Sequence, residues 1–564
     1  MLCSREIRSE MGGYKMLKGH PRGLYVAFFA NMGERFGFYT MMAILVMFLQ
    51  ARFGLAPDKA GVIYSVFYFA IYALALLGGF VADRTQRYKA VIMAGIIVMF
   101  AGYVLMAIPG MALPFVLTGL FTIAFGNGLF KGNLQALVGQ MYDDPKYSSL
   151  RDSAFSVFYM GINIGAVFAP NAAASMRNWY LSSKGMGYDA DLPSLCWQLK
   201  DGTLTDTANL QTLADKVSGS HVTDLSAFAD SYINIFSTGY NYAFGVAGVA
   251  MLISLTTYFL FKRHLPNPRV AGGIGNAAEA VKMPWEEEKK RLVALGLVFL
   301  VVIFFWMSFH QNGLTLTYLA RDYTAKTVDP LSYLIFDIRG LLLVASMIVG
   351  AVMMVRVAST TIHRGIGLVL LGGGGALAWI LYGTYPALNT IEPEIFQQFN
   401  PYFVVFLTPV VVGLFTWLHE RGKEPSTPRK IGIGMILAAL GFVILLVGSL
   451  GLTSPAELAG APSPDRISPY WLVGTYFTLT IAELFLSPMG ISFVSKVAPP
   501  RFQGLMQGGW LGATALGNQL LFVGSSMWVA FDLWLVWLVF VICCLISATF
   551  IFSILKKLEL STSG

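Results

Sequence analysis

The feature that most constrains this chain is the recurrence of apolar runs, each about 20 residues or longer and nearly free of charge, from residue 24 to the end. A helix of about 20 apolar residues crosses the ~30 Å hydrocarbon core of a bilayer. We count about fourteen such runs: 24–50, 60–82, 89–109, 113–140, 153–176, 240–262, 292–320, 331–355, 363–385, 396–418, 430–452, 468–495, 502–524 and 528–555. Lipid offers the backbone no hydrogen-bond partner, so each run must satisfy itself as a helix, and the outward alternation of a membrane barrel is absent. The fold class expected is all-α integral membrane, with about 14 transmembrane helices.

Composition removes the other classes. Charged residues make up 12% of the 564 and hydrophobic ones 56%, against roughly 25% charged in an ordinary soluble domain. So little charge excludes a soluble multidomain enzyme, a disordered chain and a nucleic-acid binder. The formal charge of +8 fits basic loops on one membrane face better than a phosphate-binding patch. Cys3, Cys196, Cys543 and Cys544 make no disulfide framework or repeated metal-ligand spacing. No cofactor or metal is expected.

Loop charges set the expected orientation. Arg84, Arg87 and Lys89, Lys146 and Arg151, Lys262 and Arg263, Arg356 and Arg364, the basic residues from Arg421 to Lys430, Lys496 and Arg501, and Lys556 and Lys557 fall on alternate ends of the runs. That is the side of the N-terminus, and the positive-inside rule makes it cytoplasmic. Both termini are expected inside, in a multi-pass protein of the cell inner (plasma) membrane. Residues 1–22 read as a cytoplasmic N-terminus without the apolar core of a signal peptide, 23–262 as a first six-helix bundle, 263–291 as a cytoplasmic linker, 292–556 as a second bundle and 557–564 as a tail. The outward loop 177–239 carries seven Asp and four Lys or Arg, and reads either as a small ordered cap or as a flexible solvated loop. Trp285-Glu-Glu-Glu-Lys-Lys reads as an amphipathic surface helix in the linker.

Charges inside the runs carry the functional signal, since each costs about 2.5–3.5 kcal/mol at a helix centre. Glu34, Arg35, Lys131, His310 and Glu483 stand mid-run. They point to a water-filled cavity and a substrate or ion path, with a purely structural buried pair as the alternative. Asp337 and Arg339 lie near a run's start, where snorkelling to the interface suffices. Asn31, Glu34 and Arg35 share one broad helix face. Arginine supplies a permanent planar cation suited to a carboxylate, and glutamate a group that can exchange a proton.

From these residues the chain resembles the proton-dependent oligopeptide transporters of the major facilitator superfamily. Asn31 to Tyr39 resembles the family's Glu-x-x-Glu-Arg-Phe-x-Tyr-Tyr, with Asn31 for the first Glu and Phe38 for the first Tyr. Gly78-Gly-Phe-Val-Ala-Asp83-Arg84 is similar to the superfamily's loop signature, and Lys131-Gly-Asn133 to Lys-Pro-Asn. Phe155-x-x-Phe158-Tyr159-x-x-Ile162-Asn163-x-Gly165 matches the fifth-helix signature closely. In the second half Phe305-Trp306 with His310-Gln311-x-Gly313 is similar to Phe-Trp and Glu-Gln-x-Gly, with His310 for Glu. Phe399-Asn400-Pro401, Glu483-Leu-Phe-Leu-Ser487-Pro488-x-Gly490 and Gly504-Leu-Met-x-Gly-x-Trp510 continue in family order.

The resemblance implies two six-helix bundles with a site at their interface near the midplane, and places runs 331–355 and 363–385 as a helix pair inserted (331–385) outside a twelve-helix transporter. It implies import of di- and tripeptides by alternating access with proton symport. The peptide carboxylate would sit near Arg35 and Lys131, and the ammonium near Glu483 with Asn163 and Asn400. Tyr39 and Tyr72 would line the cavity, and Trp306 and Trp510 would shape side-chain pockets. Proton coupling would fall to Glu34, His310 and Glu483. Coupling is expected to be atypical, because Asn31 cannot titrate and a protonated His310 would repel Lys131. The partners implied are peptides, protons and the lipid bilayer, with no nucleic acid and no obligate protein partner. Fold and partial motifs do not fix substrate, so an organic anion, nitrate or muropeptide remains the alternative. An intramembrane enzyme or sensor comes last, since six His and four Cys lack any nucleophile–base or metal spacing.

Overall fold

The structure is a computed structural model that describes residues 19–266, 283–355, 360–458 and 460–560. The first eighteen residues, most of the linker and the last four residues of the tail, on which expectations were stated above, lie outside the described residues.

The first half contains α1 (Arg22–Phe53), α2 (Pro57–Thr85), α3 (Tyr88–Ala107), α4 (Leu113–Gln140), α5 (Arg151–Ser183), two short helices α6 (Leu192–Asp201) and α7 (Thr207–Ser218), and α8 (Leu225–Phe261). The second contains α9 (Trp285–Phe309), α10 (Thr315–Asp322), α11 (Pro330–Phe336), α12 (Ile338–Val355), α13 (Thr361–Thr384), α14 (Phe399–Glu420), α15 (Thr427–Gly448), α16 (Tyr470–Val497), α17 (Gln503–Gln519), α18 (Phe522–Trp528) and α19 (Leu533–Ser553). Local chemistry sets many ends. Gly54 closes α1 in the left-handed conformation, where a side chain would be strained. Pro57 opens α2, and Asp206 and Asp224 accept backbone N–H bonds at the starts of α7 and α8. A two-residue antiparallel pairing, Thr327–Val328 (β1) with Asn389–Thr390 (β2), ties the two ends of the inserted segment together.

Thirteen helical segments of the described residues are long and apolar enough to cross a membrane. The run expected as one span at 502–524 is instead two pieces, α17 and α18, parted near Leu520 and Leu521. The run 292–320 breaks too: α9 ends at Phe309, His310–Gly313 form a 3₁₀ turn, and α10 starts at Thr315. Asp337 splits 331–355. The expected surface helix at Trp285 is corrected, since Trp285-Glu-Glu-Glu-Lys-Lys forms the first turns of α9; its acidic triplet stands where a helix N-terminus favours negative charge. The loop 177–239 is an ordered cap: α5 runs on to Ser183, α8 starts early at Leu225, and α6 and α7 lie between them.

Within the first half α1 packs on α5 and α8, α3 on α4 and α8, and α2 on α4; within the second, α15 packs on α16 and α19, α14 on α16, and α9 on α17. The two halves meet through α2 with α17 and α18, and through α5 with α14. This is the major facilitator fold with an added pair, α12 and α13, which pack on each other and reach the bundle through Leu341 against Val167 and Tyr402. The α2–α4 crossing is backbone on backbone. A Cβ on Gly78 would lie 2.0 Å from the Gly128 carbonyl oxygen, and one on Gly128 would lie 2.6 Å from that of Leu74, so only glycine fits.

Polar contacts join the halves at the end that carries the cap. Tyr318 donates to the Pro57 carbonyl (3.0 Å), Gln397 to that of Ala43 (3.3 Å), and Arg321 to Gln50. The cap itself spans both halves: Asp191 accepts from Lys326 and from Arg466 (3.3 Å), and Trp197 donates to the Ala51 carbonyl (2.9 Å). The capped end is therefore closed. A cavity of about 390 Å³ lies there, lined among others by Gln50, Trp197, Arg321 and Trp528, and contains none of the mid-run charges.

Candidate functional site

The charges flagged by the sequence converge between the halves. On α1, Arg35 is paired with its neighbour Glu34 through two parallel bonds, Nε to Oε2 and Nη2 to Oε1, both 2.6 Å. Asn127 of α4 donates to Glu34 Oε1 at 2.6 Å. Glu34 is 1% and Arg35 4% exposed. A bidentate fork with an added amide donor is the geometry that lets a buried pair offset its desolvation. Arg35 also lies over the Phe38 ring at 4.7 Å. Asn31, one turn earlier, is buried with its Nδ2 unpartnered.

Lys131, one turn after Asn127 on α4, has no ion-pair partner among the described residues. Its ammonium sits 4.2 Å over the ring of Tyr72 on α2, a cation–π contact that holds the amine while leaving its donors unused. It is within electrostatic reach of Arg35 and Glu34. Tyr39 and Tyr72, half-buried, lie within electrostatic reach of both Arg35 and Glu483.

In the second half Glu483 of α16 accepts from Asn400 of α14 at 3.0 Å, and Asn400 also donates to Thr480 at 3.1 Å. Among the described residues Glu483 has no cation partner. His310, at the break between α9 and α10, is sandwiched between Trp306 on its own half (centroids 4.7 Å) and Tyr68 on the other (4.5 Å). Its Nδ1 lies 2.5 Å from Asn518 Oδ1 of α17, so this nitrogen donates. Nearby Trp306 Nε1 and Asn518 Nδ2 are buried donors without partners.

Two further expected site residues make contacts within their own half. The Asn163 amide donates to the Tyr159 carbonyl of its own helix at 3.2 Å. Trp510 is buried against α16, where a Cβ on Gly490 would meet its ring at 1.9 Å. Sequence reasoning missed Asn127, Tyr68 and Asn518. Asn127 was recoverable, since it lies four residues before Lys131 and shares its face. It also missed Arg177 of α5 and Glu394, which form a buried ion pair between the halves at the capped end, each side chain 0% exposed. Among the described residues no group of three His, Cys, Asp or Glu could hold a metal.

The arrangement presents one uncompensated cation, Lys131, beside the Glu34–Arg35 pair on one half, and an amide-bonded carboxylate, Glu483, on the other. Comparison with known proteins places it. A family model described as POT family (PTR2) matches residues 89–283 and 378–535. The chain is 30% identical over 506 residues to the uncharacterized transporter YclF of Bacillus subtilis (strain 168), covering 87% of this chain and 85% of that protein. It is 26% identical over 509 residues to dipeptide and tripeptide permease B of Salmonella typhimurium, covering 87% and 83%. In fold it resembles a crystal structure of the peptide transporter POT in complex with sulfate, with a TM-score of 0.66, 21% identity and 97% of each chain covered. It also resembles a POT family transporter in complex with 5-aminolevulinic acid, with a TM-score of 0.65, 19% identity, and 96% and 98% covered. With more than half its length under the family model and a relative at 30% identity along most of it, the chain belongs to the POT family.

Proposed function

We propose that this protein is a secondary active transporter that imports di- and tripeptides by alternating access, with its termini and basic loops in the cytoplasm and its cap outside. The observation that carries the reading is the split of net charge between the halves: Lys131 beside the Glu34–Arg35 pair on one, Glu483 with Asn400 on the other. A peptide is a zwitterion whose ends are common to all side chains, and this site offers a cationic pole for the carboxylate and an anionic pole for the ammonium. Binding it would draw the halves together, which is what a rocking cycle requires. The name of the Salmonella relative, a dipeptide and tripeptide permease, supports the same reading.

The coupling residues divide by their bonds. Glu34 accepts three bonds from donors that cannot give it up within one rigid half, whereas Glu483 has one amide donor and room for a proton or an ammonium. We therefore assign proton exchange in the cavity to Glu483 ahead of Glu34. His310 is oriented by its bond to Asn518. The test is dipeptide uptake into proteoliposomes with the pH gradient and the membrane potential imposed separately. Accumulation driven by an inward proton gradient, competed by unlabelled dipeptides but not by nitrate or simple organic anions, is the expected result. Uptake competed only by the anions would replace the peptide reading.

A further inference from the structure

The closed, capped end holds a second cluster of charge that the central site does not use. Arg177 of α5 donates through Nη1 to Glu394 and to the Tyr240 hydroxyl (3.3 Å), and through Nε and Nη2 to Asn178 Oδ1 (3.0 and 2.9 Å). Asn178 passes the link on, donating to Glu392 Oε1 at 2.7 Å. The Tyr188 ring of the cap lies under the guanidinium at 3.9 Å. Arg177, Asn178, Tyr188 and Tyr240 belong to the first half, while Glu392 and Glu394 belong to the second, so the whole cluster exists only while this end is closed.

Two carboxylates therefore meet one guanidinium. Every donor group of Arg177 is committed, yet Glu394 Oε2 is buried with no partner, and so is the Tyr188 hydroxyl. A buried carboxylate oxygen without a donor is costly, and two carboxylates sharing one cation cannot both ionise cheaply. The surrounding charges do not correct the excess. Arg321, which reaches Tyr240, is paired with Asp322, and Asp337 and Arg339, which reach Tyr333 near Glu392, are paired with each other. The missing element is one hydrogen.

We propose that Glu392 and Glu394 form a proton-binding site of the capped gate, the two carboxyls sharing one proton from the medium on that side whenever Arg177 joins the halves. Burial, opposed by Arg177 and reinforced by Glu394, holds the Glu392 carboxyl above its ordinary range. Glu392 is also the partly exposed member of the pair and so the port of entry. When the end opens, Glu392 meets water and returns to ordinary acidity. Closure is thus favoured at low pH on the capped side, and that advantage is lost as pH rises through the raised value. The proton enters and leaves on the same side, so it biases the cycle without being carried across. The site rests on the alternating-access reading above and is independent of the substrate.

The test uses the full-length protein in lipid nanodiscs, its native cysteines replaced by alanine and spin labels placed at Lys184→Cys and Leu388→Cys, both exposed on the capped side. Electron paramagnetic resonance distances at pH 5 and pH 8 give the closed-to-open ratio. We expect the ratio to rise about tenfold on acidification for each unit by which closure raises the carboxyl pKa. Glu392→Gln, and separately Glu394→Gln, should hold the gate closed at both pH values and reduce the response below about twofold. A ratio that is the same at both pH values, or a full response retained in both variants, overturns the proposal. No peptide is present, so an error in substrate would show in the uptake assay and leave this outcome unchanged.

Discussion

Two buried arginine–glutamate pairs hold this molecule, and they are built on opposite plans. Glu34 and Arg35 are adjacent in one helix, fork to fork, with Asn127 from the same half as a third donor. Arg177 and Glu394 come from different halves, and the chain between them is 217 residues long. In the rocking motion proposed above, the first pair would stay intact and the second would break, so the second would bear on the balance between conformations. Pairing inside a moving body and pairing across it are different uses of the same two side chains.

Breaking the inner pair should give the largest effect. Glu34→Ala leaves Arg35 buried without its partner, at a cost of about 3–5 kcal/mol, and thermal unfolding of the purified protein should show a lowered midpoint together with loss of transport. A midpoint unchanged from the native protein would make the pair dispensable to folding and blur the contrast with the outer one. Next comes the unpaired carboxylate of the second half. Glu483→Gln removes an ionic partner worth about 1.5–3 kcal/mol for a charged hydrogen bond, so dipeptide affinity should fall roughly 10- to 150-fold. N-terminally acetylated dipeptides, which lack the ammonium, should bind weakly and respond little to the change; native affinity for them equal to that for free dipeptides would remove Glu483 from ammonium recognition. Smallest should be the outer pair. Arg177→Gln alters the balance of states more than the site, so turnover should fall about tenfold, a free-energy change of about 1.4 kcal/mol, with affinity changed less than about twofold. Equal losses in affinity and turnover would mean that the outer pair acts on the site itself.

The inner pair was legible in the sequence because two adjacent charges in the middle of an apolar run admit few explanations. Lys131, His310 and Glu483 stood out for the same reason. The outer pair was not legible. Arg177 follows the end of the expected span 153–176, where snorkelling explains any arginine, and Glu394 precedes the span expected from 396, so neither looked intramembrane. The apolar runs came close to the number of spans but passed through His310–Gly313 and Leu520–Leu521 without a break, since those interruptions come with tertiary contacts such as Gln311 donating to the Leu521 carbonyl at 3.1 Å. The cap stayed open between two readings because Asp206 and Asp224 are helix caps only once the helices they start have formed. The pairing of His310 with Asn518 could not be read at all: it joins helices 208 residues apart, and an isolated Asn in a Gly-rich run carries no signature.

The crossing of Gly78 over Gly128 has a consequence for how this binding site can change over generations. Tyr72 lies six residues before Gly78 and Lys131 three residues after Gly128, so the spacing of ring and ammonium is inherited from two residues that bear no side chain and touch no ligand. A methyl group at either position would wedge the helices apart at the backbone and drag the cation off its ring. Selection for a new specificity can therefore exchange the residues that face the cavity far more freely than the two glycines behind it, and a search for altered transport that samples only the cavity wall would overlook the positions with the least latitude.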